Sequence, residues 1–207
     1  MVEGRSLPAM KWSLTDMGIY EIAGGGRYGR GPQNRVGKTF LMALGAWDAE
    51  EAGMDVFANC PTNPKTGELD HILNMPHICY DPYDLIQEDL YDVYVMTDQA
   101  EQVMDARACQ KKDIRNLGYF NYQAKKRGIA WRYDTPRHKN IDPRIRLNPD
   151  AYIYPERIPR NWREPLKAIR LILDMNGRFY FLKIRNPQDY FPIYNEKVML
   201  RPQERNT

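Results

Sequence analysis

Apolar residues fall in short runs along this chain, separated by stretches rich in glycine and proline. Residues 18–23 (GIYEIA) read as a strand, 54–59 (MDVFAN) as a second, and 90–97 (LYDVYVMT) as a third that ends at Asp98. The 38–52 segment predicts a helix stopped by Gly53. Residues 100–127 predict a mostly helical stretch stopped by Gly128. Two further strands are expected at 129–133 (IAWRY) and 151–154 (AYIY). The runs 168–174 and 178–184, joined by Asn176-Gly177, predict a hairpin. Strands alternating with helices predict an α/β fold with a parallel sheet, which the C-terminal hairpin extends or caps. A long connection with Pro61, Pro64, Pro76 and Pro82 separates the second and third strands. No internal repeat or low-complexity linker interrupts the pattern.

Composition keeps this reading within globular proteins. Of 207 residues, 43% are hydrophobic and 28% charged, too apolar a balance for a disordered chain. The length suits one domain over 1–207, with a core at about 18–155 and a hairpin and tail at 156–207. No apolar run approaches the ~18–20 residues of a membrane helix, so no stable membrane insertion is expected. The first 13 residues lack the apolar core of a signal peptide. A soluble, intracellular protein is the expectation. Three cysteines, Cys60, Cys79 and Cys109, argue against a disulfide scaffold. His71, His77 and Cys79 lie close in sequence, but no paired-ligand spacing supports zinc, and they read as ordinary loop residues.

Charge changes the picture more. The net charge is +3, yet residues 48–105 hold 14 acids and one base, Lys65. Residues 107–146 hold 12 Lys/Arg against Asp113, Asp134 and Asp142. Two unlike surfaces are expected, one suited to a polyanion and the other to a partner or neighbouring subunit.

The sharpest chemical signal is Gly37-Lys38-Thr39. It follows a strand and a loop containing Gly24, Gly25, Gly26, Gly29 and Gly31, and it opens a helix. That context is what a phosphate-binding P-loop requires. Backbone N–H groups would cradle the β-phosphate, Lys38 would reach the β- and γ-phosphates, and the Thr39 hydroxyl would bind Mg²⁺. The usual first glycine position holds Pro32, with Gly31 one residue early. Asp98, at the end of an apolar strand, is the expected second holder of Mg²⁺. The next residue is Gln99, which can orient water but cannot accept a proton. Glu101 is the nearest carboxylate beyond it and is expected to face solvent from the start of a helix.

These residues resemble the FtsK–HerA superfamily of P-loop ATPases, above all the genome-packaging ATPases of tailless icosahedral viruses with an internal membrane, and their Zot-like relatives. The resemblance rests on Arg35-Val36-Gly37-Lys38-Thr39, Val56-Phe57-Ala58-Asn59, and the run from Asp98 to Arg107 (DQAEQVMDAR). It continues through Tyr122 to Gly128 (YQAKKRG), Asp134-Thr135-Pro136-Arg137, Asn140 to Asn148 (NIDPRIRLN), and Asp189 to Asn195 (DYFPIYN). Together they span about residues 18–198.

The resemblance implies a RecA-like P-loop NTPase fold with a mainly parallel central sheet, flanking helices and a C-terminal β-hairpin. It implies ATP and Mg²⁺ as cofactors, with Gly31, Asn34, Arg35, Val36, Gly37, Lys38, Thr39 and Phe40 around the nucleotide. Gln99 falls at the family's general-base position, and Thr135, with Arg137 nearby, at its sensor position. Pro136 replaces the sensor glutamine. The trans-acting arginine falls on Lys125, with Arg127 nearest. Arg144 and Arg146 are candidates for trans or DNA contacts. The implied function is an ATP-driven motor that packages double-stranded DNA into a viral capsid. It would work as a homo-oligomeric ring, a pentamer or hexamer, with capsid or membrane-vertex proteins as partners. Its place would be the host cytoplasm or the packaging vertex of the virion. A nucleotide-binding assembly or morphogenesis protein with weak or no hydrolysis, and a small-molecule kinase, are the alternatives.

Overall fold

The computed structural model describes residues 2–4, 18–24, 37–63, 65–85, 89–108, 110–161 and 163–195. Their strands are β1 (Val2–Gly4), β2 (Gly18–Ala23), β3 (Val56–Asn59), β4 (Ile78–Tyr80), β5 (Tyr94–Thr97), β6 (Ala130–Thr135), β7 (Ala151–Ile158), β8 (Ala168–Met175) and β9 (Arg178–Arg185). The helices are α1 (Lys38–Glu51), α2 (Lys112–Ala124) and the short α3 (Pro143–Arg146). One sheet runs β1-β9-β8-β7-β2-β6-β5-β3-β4. From β7 through β4 the neighbours are parallel; β7, β8, β9 and β1 pair antiparallel. This is the expected α/β architecture, with the hairpin extending the sheet rather than capping it.

Alternation along the central strands builds a core on each face. Tyr20, Ile22, Tyr94 and Met96 pack with Phe40, Leu41 and Leu44 of α1. Ile19, Val95, Trp131 and Tyr133 pack with Leu117, Phe120 and Ala124 of α2. The two-residue period of buried strands and the helices' own apolar faces thus fix which layer covers which side.

Three local departures from the sequence pattern have physical causes. The 100–127 stretch is not one helix. Short 3₁₀ turns at Ala100–Gln102 and Ala106–Ala108 precede α2. Asp105 accepts from the Arg107 amide at 2.9 Å, and Met104 O accepts from Asp142 N at 2.8 Å, so local and long-range bonds replace the helical ladder there. The long connection after β3 contains β4, a three-residue edge strand too short to give a period. β7 continues to Ile158 through Pro155, beyond the part that pairs with β2; single-neighbour stretches are where strands accept proline.

Candidate nucleotide site

The parallel strands β3, β5 and β6 end side by side at Asn59, Thr97-Asp98 and Asp134-Thr135, and α1 begins beside them. The carboxyl ends of parallel strands are the usual place for ligands in such sheets. Gly37 caps α1 with φ 94°, and a Cβ there would meet Ile169 Cδ1 at 2.7 Å. Glycine is therefore required by both backbone and space. The first α-helical amides, those of Lys38, Thr39 and Phe40, have no partner within the helix and carry its positive dipole end.

Two cross-sheet contacts organise the site. Thr39 Oγ1 donates to Asp98 Oδ1 at 2.8 Å. Lys38 Nζ lies 3.3 Å from Asp134 Oδ2, with both side chains largely buried. Asp98 is clamped from behind: Asn59 Nδ2 donates to its carbonyl at 3.0 Å, and its amide donates to Asn59 Oδ1 at 2.7 Å. The preceding Thr97 hydroxyl is held by Tyr80 OH at 2.6 Å and by Trp131 Nε1 at 2.9 Å. Burial, with the Asp134 carboxylate next to it, holds the Asp98 carboxyl well above its ordinary range, against the Thr39 hydrogen bond and Lys38.

The residues after Asp98 divide their roles. Gln99 has φ 51°, and its amide donates to Asp134 Oδ1. Its side-chain oxygen accepts from Gln102 Nε2, so the amide group is engaged with the 3₁₀ turn. Glu101 does not stand out in solvent as its sequence position implied. It is half-buried beside Thr135 and lies within the fields of Asp134 and Lys38. Burial, with the Asp134 charge, pushes its carboxyl up to about 7, against its own amide, Lys38 and Thr135. Its Oε2 is buried and finds no hydrogen-bond partner among the described residues. A carboxyl that titrates near neutrality in such a site is suited to accept a proton.

Other sequence-predicted residues are placed as follows. Gly31, Asn34, Arg35 and Val36 lie outside the described residues. Phe40 turns its ring into the core against Phe191 and Tyr194, leaving its amide to the site. Thr135 Oγ1 donates to Arg137 O at 3.0 Å and accepts from Arg137 N at 3.2 Å, a tight turn that holds the strand end. Lys125 pairs with Asp150 at 2.5 Å and Arg127 stacks over Tyr91, both at the opposite, amino end of the parallel strands. Within one chain they do not reach the site. Arg144 forks onto Asp142 with 2.9 and 2.8 Å bonds, and Arg146 donates to Lys139 O at 3.3 Å. Asp134 was missed as a site residue by sequence reasoning. An acid near the end of the apolar strand at 129–133 carried the same signal as Asp98.

The donor set suits the implied cation. A hydroxyl and a buried carboxylate, both hard oxygens, meet at a helix N-terminus that also favours phosphate. Mg²⁺ takes such sets with one or two carboxylates and substrate oxygens, so Thr39 and Asp98 would hold it. When bound it would neutralise phosphate charge.

No protein-family model matches the sequence, and no curated protein matches it significantly. Solved structures match the fold. The N-terminal domain of zonular occludens toxin from Neisseria meningitidis aligns with TM-score 0.57 at 17% identity, covering 86% of this chain and 100% of that one. The genome-packaging NTPase B204 from Sulfolobus turreted icosahedral virus 2, in complex with ATP-γS, aligns with TM-score 0.52 at 11% identity, covering 80% and 96%. The pCW3 conjugation coupling protein TcpA with ATP-γS aligns at 0.55 and 11%, covering 92% of this chain and 69% of that one. The chain therefore has the fold of P-loop NTPases.

Proposed function

We propose that this protein is an ATPase that drives double-stranded DNA, as a ring, into a viral capsid. The observation that carries the ATPase part is the convergence of Lys38, Thr39, Asp98, Asp134 and Glu101 at the ends of β5 and β6. Helix amides and Lys38 take the phosphates, Thr39 and Asp98 take Mg²⁺, and Glu101 supplies a proton acceptor. Structures of like fold include a genome-packaging NTPase and a conjugation coupling protein, each with ATP-γS. DNA is favoured by α2, which exposes Lys112, Arg115, Tyr119 and Tyr122 on one helical face, with Lys126 following. Cations interleaved with aromatics at that spacing suit a phosphate backbone.

The ring places Lys125 and Arg127 against a neighbour's nucleotide, because they stand far from their own. Phosphate release by the full chain, with and without duplex DNA, tests the whole reading. Duplex-stimulated turnover is expected. Phosphate transfer to a small acceptor would instead indicate a kinase, and nucleotide binding without turnover an assembly role. Lys38→Ala should weaken ATP binding tenfold or more, about 1.5–3 kcal/mol, by calorimetric titration. Equal affinities would sink the nucleotide site.

A further inference from the structure

The excursion between β3 and β4 brings four side chains with metal-binding chemistry to one point. Cys60 stands two residues past Ala58, the register partner of Cys79 on the parallel β4. Alternation therefore puts both sulfurs on one face of the sheet edge. His71 and His77 come from the connecting loop. His77 Nε2 is 3.5 Å from Cys60 Sγ and 3.7 Å from Cys79 Sγ. His71 Nδ1 is 3.4 Å from Cys79 Sγ and 3.0 Å from His77 Nε2. All four ligand atoms lie within 4.8 Å of one another, and Cys60 is buried. The two sulfurs are joined as a disulfide.

The His77 tautomer is fixed by its surroundings. Its Nδ1 lies 2.8 Å from the Met75 carbonyl, which can only accept, so Nδ1 carries the proton. Nε2 then presents a lone pair to the two sulfurs. In the disulfide form the sulfurs carry no hydrogen and only His71 Nδ1, 3.0 Å away, can donate to it, whereas a cation at the centre would use all four groups. A histidine that donates one ring N–H to a backbone carbonyl while its other nitrogen faces a ligand cluster is the usual outer support of a metal site.

We propose that Cys60, His71, His77 and Cys79 form a Cys₂His₂ site for Zn²⁺ in the reduced chain. Tetrahedral zinc, with Zn–S about 2.3 Å and Zn–N about 2.0–2.1 Å, keeps its ligand atoms about 3.3–3.8 Å apart. Three of the four sulfur–nitrogen distances fall in that range, while the two nitrogens, 3.0 Å apart, and the bonded sulfurs would have to spread to admit the ion. Two thiolates and two imidazoles select zinc over Mg²⁺ or Ca²⁺. Reduction by an external dithiol passes two electrons and two protons to the sulfurs and turns the dithiol into its own disulfide. Zinc then displaces the two thiol protons. Metal and disulfide are alternative staples across the same strand pair. The site borders the nucleotide site through Asn59, but it does not depend on the ATPase reading.

The test uses the full chain without an affinity tag, reduced with a dithiol and freed of it by anaerobic gel filtration, then titrated with Co²⁺ and afterwards Zn²⁺. One cobalt per chain is expected, with thiolate-to-cobalt charge transfer and the visible bands of a tetrahedral ion, displaced by one equivalent of zinc. Zinc should raise the melting temperature of the reduced chain and a chelator should reverse it. Cys60→Ser and His77→Ala should lose the cobalt spectrum, and Cys109→Ser should keep it. A reduced wild-type chain without a tetrahedral cobalt spectrum overturns the site, whatever the variants do. So does an undiminished spectrum in Cys60→Ser, or its loss in Cys109→Ser.

Discussion

Thr39 and Asp98, 59 positions apart, are joined by a 2.8 Å hydrogen bond from the threonine hydroxyl to the carboxyl oxygen. The bond ties the first turn of α1 to the end of β5. It holds together two groups that the sequence marks as one cation site, around a carboxyl that burial raises well above its ordinary range.

That upward shift has a consequence for stability. The Asp98 carboxyl releases its proton at a higher pH in the folded chain than in the unfolded chain, where it does so near 3.8. Between the two the folded state binds more protons, so stability falls as pH rises. Asp98→Asn removes the buried acid and still accepts from Thr39. Its melting temperature should lie above that of the wild type at neutral pH and vary less between about pH 4 and pH 8. Mg²⁺-nucleotide binding should weaken in the same variant. A neutral-pH melting temperature below wild type would mean that the fold does not hold this carboxyl above its ordinary range.

Gly45 tests the packing of α1 on β5. A Cβ at this position would meet Tyr94 OH at 2.6 Å, and that hydroxyl donates to Met42 O at 2.8 Å. Tyr94 is fully buried and cannot swing away. Alanine is the better helix former by about 1 kcal/mol, but overpacking of this kind costs about 1–3 kcal/mol. Gly45→Ala should therefore be neutral to destabilising by up to about 2 kcal/mol in urea unfolding. A gain in stability would show that the Tyr94 contact yields easily.

Much of this site was legible because its parts sit at ends of elements. Gly37-Lys38-Thr39 and Asp98 stand where a strand or loop gives way to a helix, and local pattern finds such places. Asp134 carried the same strand-end signal as Asp98 and Glu101 is the nearest carboxylate beyond it, yet neither could be assigned to the site from local pattern. Their meaning depends on β6 lying between β2 and β5, an order that no local pattern encodes. The 3₁₀ turn that carries Glu101 is closed by local backbone bonds, and one bond from Asp142 N to Met104 O, far apart in sequence, anchors the chain just beyond it. Cys60 and Cys79 meet through β4, whose three residues give no period. The charge block at 107–146 was legible as a block but not as a surface. Arg132 within it is 1% exposed, lies over the Tyr20 ring at 3.8 Å and donates to Gly18 O at 2.6 Å.

The exposed face of α2 makes the DNA reading specific. Lys112 and Arg115 should contact phosphates while Tyr119 and Tyr122 pack alongside. Binding should be independent of sequence, and each lost phosphate contact should reduce the slope of log affinity against log salt by about 0.9. Fluorescence anisotropy across a salt series, with Lys112→Glu and Arg115→Glu, measures this. Arg132 variants are unsuitable because that side chain belongs to the core. An unchanged salt slope in both α2 variants would move the DNA contact elsewhere.

The catalytic carboxylate is the sharpest remaining question, and the geometry divides two residues cleanly. Gln99 stands where the sequence resemblance implies a general base, yet its side chain is bonded to Gln102 and its amide to Asp134. Glu101 faces Thr135, Lys38 and Asp134, with a carboxyl pushed up to about 7. A general base works when deprotonated, so turnover should rise with pH through about 7 and level above it. Base catalysis contributes about 10²–10⁴-fold, so Glu101→Gln should lower kcat by that order and flatten the profile, with KM for ATP little changed. Gln99→Glu should change turnover little, because the new carboxylate inherits a position turned toward the 3₁₀ turn. Phosphate release across pH for the wild type and both variants decides the matter. A large gain in Gln99→Glu, with Glu101→Gln silent, would return the base to position 99.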